Sequence, residues 1–242
     1  MAAWRIGTAG WAIPRQSAAA FPADGSTLER YAARLNAAEI NSSFHRSHRP
    51  ATYERWAACA PEGFRFAIKL PKAITHVRRL VDCAEPLAAF AAEIAPLGPR
   101  RGPVLVQLPP SLAFDAGIAE RFLAEAHAAL GGQLACEPRH ASWFSADADR
   151  LLIERRVARV AADPARLPGA EQPGGWPGLA YFRLHGSPRT YWSAYDDAAL
   201  AQWATRVRTA AERADLLWLI FDNTAGGAAA GNALAIRRLF AQ

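Results

Sequence analysis

A chain of 242 residues, 51% hydrophobic and 21% charged, is long enough to bury one large core, and no uninterrupted apolar run reaches the ~18 residues of a membrane helix. Its three cysteines, Cys59, Cys83 and Cys136, are odd in number and form no CxxC pair, which argues against a disulfide framework or zinc ribbon and marks them as small buried apolar residues. The net charge of +6 raises nucleic acid as a partner, but the arginines fall in short groups (Arg100-Arg101, Arg155-Arg156 with Arg159, Arg206 with Arg208, Arg237-Arg238) without any binding motif, so that reading stays a minor alternative.

Residues 4–7 make the first short apolar run, and the Met1-Ala-Ala that precedes it carries no signal-peptide pattern, so a cytoplasmic location is expected. Ser26 or Thr27 then caps a helix whose Leu28, Tyr31, Ala32 and Leu35 share a face. A second run, 38–42, precedes Pro50, which suits the first turn of a helix over 51–59. A third, 64–70, precedes the stripe Leu87, Phe90, Ala91 and Ile94, and a fourth, 104–108, precedes Asp115, the cap of a helix carrying Ile118, Phe122 and Leu123. Runs 134–137, 157–162 and 180–184 follow, and Asp196 then opens a helix carrying Leu200, Trp203 and Val207. The eighth run, 216–221, leads to a closing helix over 232–240. Several runs are apolar on both faces, as parallel strands covered by helices must be. Eight strands with intervening helices in one domain over residues 1–242 predict an α/β fold, a (β/α)8 TIM-type barrel, in preference to a doubly wound sheet.

One connection departs from the pattern. The prolines and glycines of 164–178 remove donors and add backbone entropy, so a missing or shortened helix is expected there, with Trp176 as an anchor against the barrel mouth.

The strands turn polar at their C-terminal ends, where such a barrel places its site. Glu39 and Asn41 end the second, Lys69 the third, Gln107 the fourth, Glu137 with Arg139 and His140 the fifth, Asp163 the sixth, Arg183 with His185 the seventh, and Asp222 with Asn223 the eighth. Alternate residues on a strand share a face, so Glu39 with Asn41, Glu137 with Arg139, and Arg183 with His185 project as pairs. Buried charges need partners, so these groups either neutralise one another or face a ligand. Four carboxylates (Glu39, Glu137, Asp163, Asp222) stand against Lys69, Arg139 and Arg183, with His76, His140 and His185 left to titrate. That near balance suits a small polar or anionic molecule held by arginines, with a carboxylate as general base. A divalent-metal site from Glu39, Glu137, Asp163 and His185 is disfavoured by the same cations, and no cofactor is expected.

Only two of the 28 basic residues are lysines, Lys69 and Lys72, both within Phe64-Arg-Phe-Ala-Ile-Lys-Leu-Pro-Lys72. Arginine stays charged at any workable pH, whereas a lysine in a dry site can lose its proton and act as base or amine nucleophile. The competing role is a lysine that pairs with a buried carboxylate or binds an anion.

Seven motifs in order, Ile6-Gly-Thr-Ala-Gly-Trp11, Glu39-Ile-Asn-Ser-Ser-Phe44, Phe64 to Pro71 with Ile74-Thr-His76, Gln107-Leu-Pro-Pro110, Glu137-Pro-Arg-His140 with Ser142-Trp-Phe144, Phe182-Arg-Leu-His-Gly186, and Phe221-Asp-Asn-Thr-Ala-Gly-Gly227, span nearly the whole chain. Together they resemble the YecE-like family, domain of unknown function 72. The resemblance implies a TIM-type barrel and brings no activity with it. Where relatives often have Glu-Phe-Arg, this chain has Glu137-Pro-Arg139, which keeps both side chains on one face. Within the motifs, Gly7 and Gly10 suit tight turns or close backbone approach, Gly226-Gly227 before a helix could cradle an anion, and Trp11, Phe44, Trp143 and Tyr191 could wall a pocket.

The reading is an enzyme acting on a small polar or anionic substrate at the barrel mouth, with Lys69, Glu137, Glu39, His185 and Asp163 in catalysis. Asn41, His76, Gln107, Arg139, His140, Arg183, Tyr191, Asp222 and Asn223 would contact the substrate. Hydrolysis, isomerisation and carbon–carbon lyase chemistry are equally open. The alternative from another class is a non-catalytic small-molecule binding or sensor protein.

Overall fold

The computed structural model describes residues 3–241 and shows one sheet curled into a cylinder. Its strands are β1 (Ala3–Ala9), β2 (Ala37–Ile40), β3 (Arg65–Lys69), β4 (Arg101–Gln107), β5 (Leu134–Glu137), β6 (Val157–Arg159), β7 (Ala161–Asp163), β8 (Gly174–Gly175), β9 (Leu179–Leu184) and β10 (Leu216–Phe221). Strands β1 to β5 pair in parallel in sequence order, and β9, β10 and β1 continue the same ring. The sixth run, read as one strand, is two. β6 pairs with β5 and β7 with β9, while Val160 between them donates its amide to the Cys136 carbonyl at 2.8 Å. One segment thus bonds to one neighbour with its first half and to the other with its second, closing a barrel of the (β/α)8 class.

The helices are α1 (Thr27–Ala32), α2 (Pro50–Cys59), α3 (Ala84–Ile94), α4 (Ala116–Leu130), α5 (Ala146–Glu154), α6 (Asp197–Ala211) and α7 (Ala228–Phe240). Ser26 and Glu29 form a reciprocal capping box on α1, and Asp115 and Asp196 accept from the third backbone amides of α4 and α6. Helix α5 has no counterpart in the sequence reading. It is nine residues long and buries only Ala148, Leu151 and Leu152, too short a stripe to stand out. Helix α7 starts four residues earlier than expected, directly after Gly227, whose φ of 74° only glycine adopts without strain. A Cβ on Gly7 would fall 1.9 Å from the Ala37 carbonyl oxygen, so that glycine permits the close approach of β1 and β2.

Residues 164–178 hold no helix. They return along the barrel as the two-residue β8, antiparallel to β6, with the Gly175 amide donating to Asp149. Trp176 does not reach the mouth. Its amide bonds the carbonyl of Val157 at the start of β6, and it packs with Leu179 and Leu216, which begin their strands, so it plugs the opposite, N-terminal end. The register of the β8–β6 pair, which joins Gly175 to Ala158, fixes this direction.

Inside the barrel, the alanines Ala37, Ala67, Ala135 and Ala158 face the bulky Leu105, Leu179, Tyr181 and Trp218, small against large as a closed cylinder requires. The Tyr181 and Trp218 rings stack at 6.0 Å and 3°. The next inward layer toward the mouth is charged.

A saturated charge cluster and an unpaired lysine at the barrel mouth

Alternation carries the inward face of β9 from Tyr181 to Arg183 to His185, that of β2 to Glu39, that of β5 to Glu137, and that of β10 past Ile220 to Asp222. These side chains meet. Arg183 is fully buried and donates from Nε and Nη2 to the two oxygens of Glu39 (3.0 and 2.7 Å), from Nη1 to Glu137 Oε2 (2.6 Å) and from Nη2 to Asp222 Oδ2 (2.9 Å). The Tyr181 hydroxyl donates to Glu39 Oε2 at 2.9 Å, and burial followed by the Glu39 charge keeps that phenol protonated, well above its ordinary range. Arg139 donates to Glu137 Oε1 at 2.7 Å.

His185 bridges two of these carboxylates at oxygens the arginines also contact, with Nδ1 at 3.0 Å from Asp222 Oδ2 and Nε2 at 3.1 Å from Glu137 Oε1. Burial would raise the Glu137 carboxyl, but Arg183, then Arg139 and His185, outweigh it and hold it well below the usual carboxylate range. Asp222 is depressed in the same way, burial being overcome chiefly by Arg183 and His185. Glu39, Glu137 and Asp222 are thus held by Arg183, Arg139 and the two ring nitrogens of His185.

Lys69 is the cation left over. It is 7% exposed and, among the described residues, has no carboxylate within salt-bridge distance; its Nζ sits 4.1 Å from the centre of the Phe44 ring. Burial, with help from Arg183, pushes its ammonium down to about 8, against the opposing pull of Glu39, Glu137 and Asp222. His76 also packs edge-on against Phe44, with the two ring centres 5.0 Å apart. Its imidazole is lowered by burial and then by Lys69, Lys72 and Arg139, which keeps it neutral at pH 7. Tyr191, at φ 70° and 39% exposed, lays its ring edge-on to His185 at 5.6 Å. A non-glycine residue at positive φ stores strain, and such strain gathers at functional positions.

Gln107 lies in register with Glu137 and shares the inward face with Leu105, while Asn41 follows Glu39 on the same side of β2. Three other expected site residues lie outside the cluster, for one shared reason. Asp163 follows Ala161, which faces the helices, so its carboxylate also points outward, where it accepts from the Tyr195 hydroxyl at 2.6 Å. Asn223 is one residue past the inward Asp222 and ties Ser193 to Asn232 on α7 with its amide nitrogen. His140 is one past Arg139 and uses Nδ1 to cap the turn Ala141–Phe144. Alternation sends each to the outer face of its strand.

Tyr181 was not expected, although its place two residues before Arg183 on one face was the available signal. Of the four aromatic wall candidates, Phe44 and Tyr191 line the mouth, whereas Trp11 packs on Trp56 and Phe66, and Trp143 is buried with its indole donating to Leu112. The Gly226-Gly227 cradle is filled by the Trp192 carbonyl, Gln16 and Pro14. The centre where facing carboxylates could share a metal is taken by the Arg183 guanidinium. The arginine groups are spread around the barrel: Arg100 and Arg101 bond backbone carbonyls, Arg155 meets Glu120, Arg159 meets Asp149, and Arg208 bonds the Leu239 carbonyl.

The hollow beside Glu137, Arg139 and His185 is about 20 Å³, room for roughly one water. A larger cavity, about 560 Å³, lies on the flank of the barrel, between residues 171–177 and α6. None of the clustered charges reaches it, so size alone does not identify the site.

Comparison with known proteins agrees with this architecture. The family described as "Protein of unknown function DUF72" matches residues 5–242, and the chain belongs to that family. UPF0759 protein YecE of Escherichia coli (strain K12) is 33% identical over 84 residues, 35% of this chain and 31% of that protein, so the match spans about a third of the relative's length. Crystal structures of DUF72 family proteins from Enterococcus faecalis V583 (TM-score 0.83, 21% identity, 99% of this chain and 96% of that one) and Thermotoga maritima MSB8 (TM-score 0.81, 23% identity, 99% of both) share the fold. No helix among the described residues is long and apolar enough to cross a membrane.

Proposed function

We propose that this DUF72 member is an enzyme that uses Lys69 as a reactive amine on a small anionic carbonyl compound bound at the C-terminal mouth of the barrel. The observation that carries the reading is an ammonium in a dry site with no carboxylate beside it, pushed down to about 8. At pH 7 roughly one lysine in ten would then be the free amine, against a few in ten thousand for an ordinary one. In this reading Arg139, which spends only one donor on Glu137, holds the anionic group, neutral His76 takes the proton, and Tyr191 closes the outer wall. Glu39 and Glu137 have their oxygens engaged by Arg183 and its neighbours, so they set the field around Lys69 in place of moving protons.

The saturation of that cluster favours a second reading, a rigid binding site without turnover. The two part on Lys69. Its labelling by an amine-selective reagent, followed by peptide mass spectrometry, is expected to show a midpoint near pH 8, and borohydride with small 2-oxo acids to leave a reduced adduct on that residue. A midpoint in the ordinary lysine range with no adduct, together with undiminished ligand affinity in Lys69→Arg, would leave the binding reading standing.

A further inference from the structure

The flank of the barrel offers a second place for a ligand, apart from the mouth. The cleft of about 560 Å³ between residues 171–177 and α6 has Ala180 and Phe182, on the outer side of β9, in its floor. Packed proteins leave few voids larger than a water, so a hollow of this size depends on a wall held away from its neighbour. That wall is fixed to the barrel. β8 pairs with β6, the Gly175 amide donates to Asp149, and a Cβ on Gly175 or Gly178 would collide with the Val157 carbonyl oxygen or the Trp176 ring. The segment closes tightly on one side and leaves its other side open toward α6, so the cleft exists before any ligand arrives.

Its lining is mostly apolar, with few polar groups to spare. Trp176, Leu179, Phe182 and Ala210 supply hydrocarbon, and Thr205 and Thr209 spend their hydroxyls on the carbonyls of Ala201 and Thr205 within α6. The charges that remain are Arg206 and Arg213, two turns apart on one side of the helix, against a single acid, Glu171. Among the described residues neither arginine has a carboxylate within salt-bridge distance, and Arg206 is steadied by the Trp203 ring, 4.9 Å from its guanidinium carbon. Two cations and one acid around an apolar bed complement a ligand with one negative charge and a hydrocarbon body. We propose that this cleft binds an amphipathic monocarboxylate, its body between Trp176 and α6 and its carboxylate on the Arg206 and Arg213 side.

The test is calorimetric titration of the full chain with octanoate and with 1-octanol, equal in chain length and different in charge. Octanoate is expected to bind about 5-fold or more tightly than the alcohol. In Arg206→Gln/Arg213→Gln, at two exposed positions that the fold tolerates, that preference should shrink below about 2-fold while affinity for octanol holds. Thr209→Trp, at an exposed helix position lining the cleft, should weaken both ligands about 10-fold or more by filling the space. Lys69→Met should bind octanoate as wild type does, because no mouth residue lines the cleft. No binding of octanoate at millimolar concentration, equal affinities of acid and alcohol, or an octanoate affinity unchanged in Thr209→Trp would overturn the assignment. So would affinity lost in Lys69→Met, which would place the anion at the mouth, or self-association in sedimentation velocity that Thr209→Trp abolishes, which would make a second copy the occupant. Labelling of Lys69 reads the mouth and these titrations read the flank, so either reading can fail alone.

Discussion

Arg183 and Lys69 project into the same barrel mouth from strands of one sheet, and they are opposites. Arg183 is sealed from solvent and gives four hydrogen bonds to three carboxylates. Lys69 is almost as buried yet has an aromatic ring for its nearest partner. Burial of a charge is costly in both places, but only the arginine recovers the cost from its surroundings. A saturated charge is scaffold. An unsaturated one holds free energy that a ligand or a lost proton can release, and that is where binding or chemistry is to be sought.

The largest effect that tests this contrast comes from removing the saturated member. Arg183→Met leaves Glu39, Glu137 and Asp222 facing one another without their shared guanidinium, and the loss of stability should be about 3–5 kcal/mol, read as a drop in the urea midpoint at pH 7. A loss under about 1 kcal/mol would mean the cluster is hydrated and the distinction between the two residues is false.

Removing the unsaturated member should do the reverse. The folded Lys69 value of about 8 lies below the ordinary 10.5, so between those values the unfolded chain binds more protons and wild-type stability rises with pH. Below pH 8 the full cost of burying the ammonium is present, roughly 3–4 kcal/mol from a shift of this size. Lys69→Met should therefore be more stable than wild type at pH 7, with the gap closing as pH is raised toward 10. Parallel denaturation of the two proteins across that range cancels the titrations they share. A variant less stable than wild type at pH 7 would show that the lysine is paired after all.

The sequence made the barrel legible because its strands are apolar on both faces and its caps are unambiguous: Ser26, Asp115 and Asp196 cap the helices where expected. It also supplied the members of the cluster, since Glu39, Lys69, Glu137, Arg139, Arg183, His185 and Asp222 all face inward. What it hid was parity. In a strand buried on both sides, hydropathy does not tell the barrel interior from the helix-facing side, so Asp163, Asn223 and His140 were grouped with neighbours that point the other way. The break at Val160, which divides the sixth strand between two partners, leaves no mark in composition. The pairing of charges was hidden as well, because which carboxylate meets Arg183 depends on contacts between β9 and β2, β5 and β10 that lie far apart along the chain.

The smallest predicted effect concerns Asp163, which shares the acidity of the cluster residues and none of their surroundings. Its one side-chain bond is from the Tyr195 hydroxyl, whose amide nitrogen is in turn held by Asn232. Asp163→Asn keeps the shape and an acceptor while removing the charge, so the tyrosine bond weakens from charge-assisted to neutral and stability should fall by about 1 kcal/mol. Because the side chain faces α6 and not the barrel interior, ligand affinity and the pH at which Lys69 becomes reactive should stay at wild-type values. Glu137→Gln, whose residue touches Arg139, Arg183 and His185, removes a charge that holds the Lys69 proton on, and should move that reactive pH downward. Amine labelling of both variants thus separates a carboxylate that belongs to the mouth from one that only lies near it in sequence pattern, and a shifted midpoint in Asp163→Asn would place this residue back among the cluster.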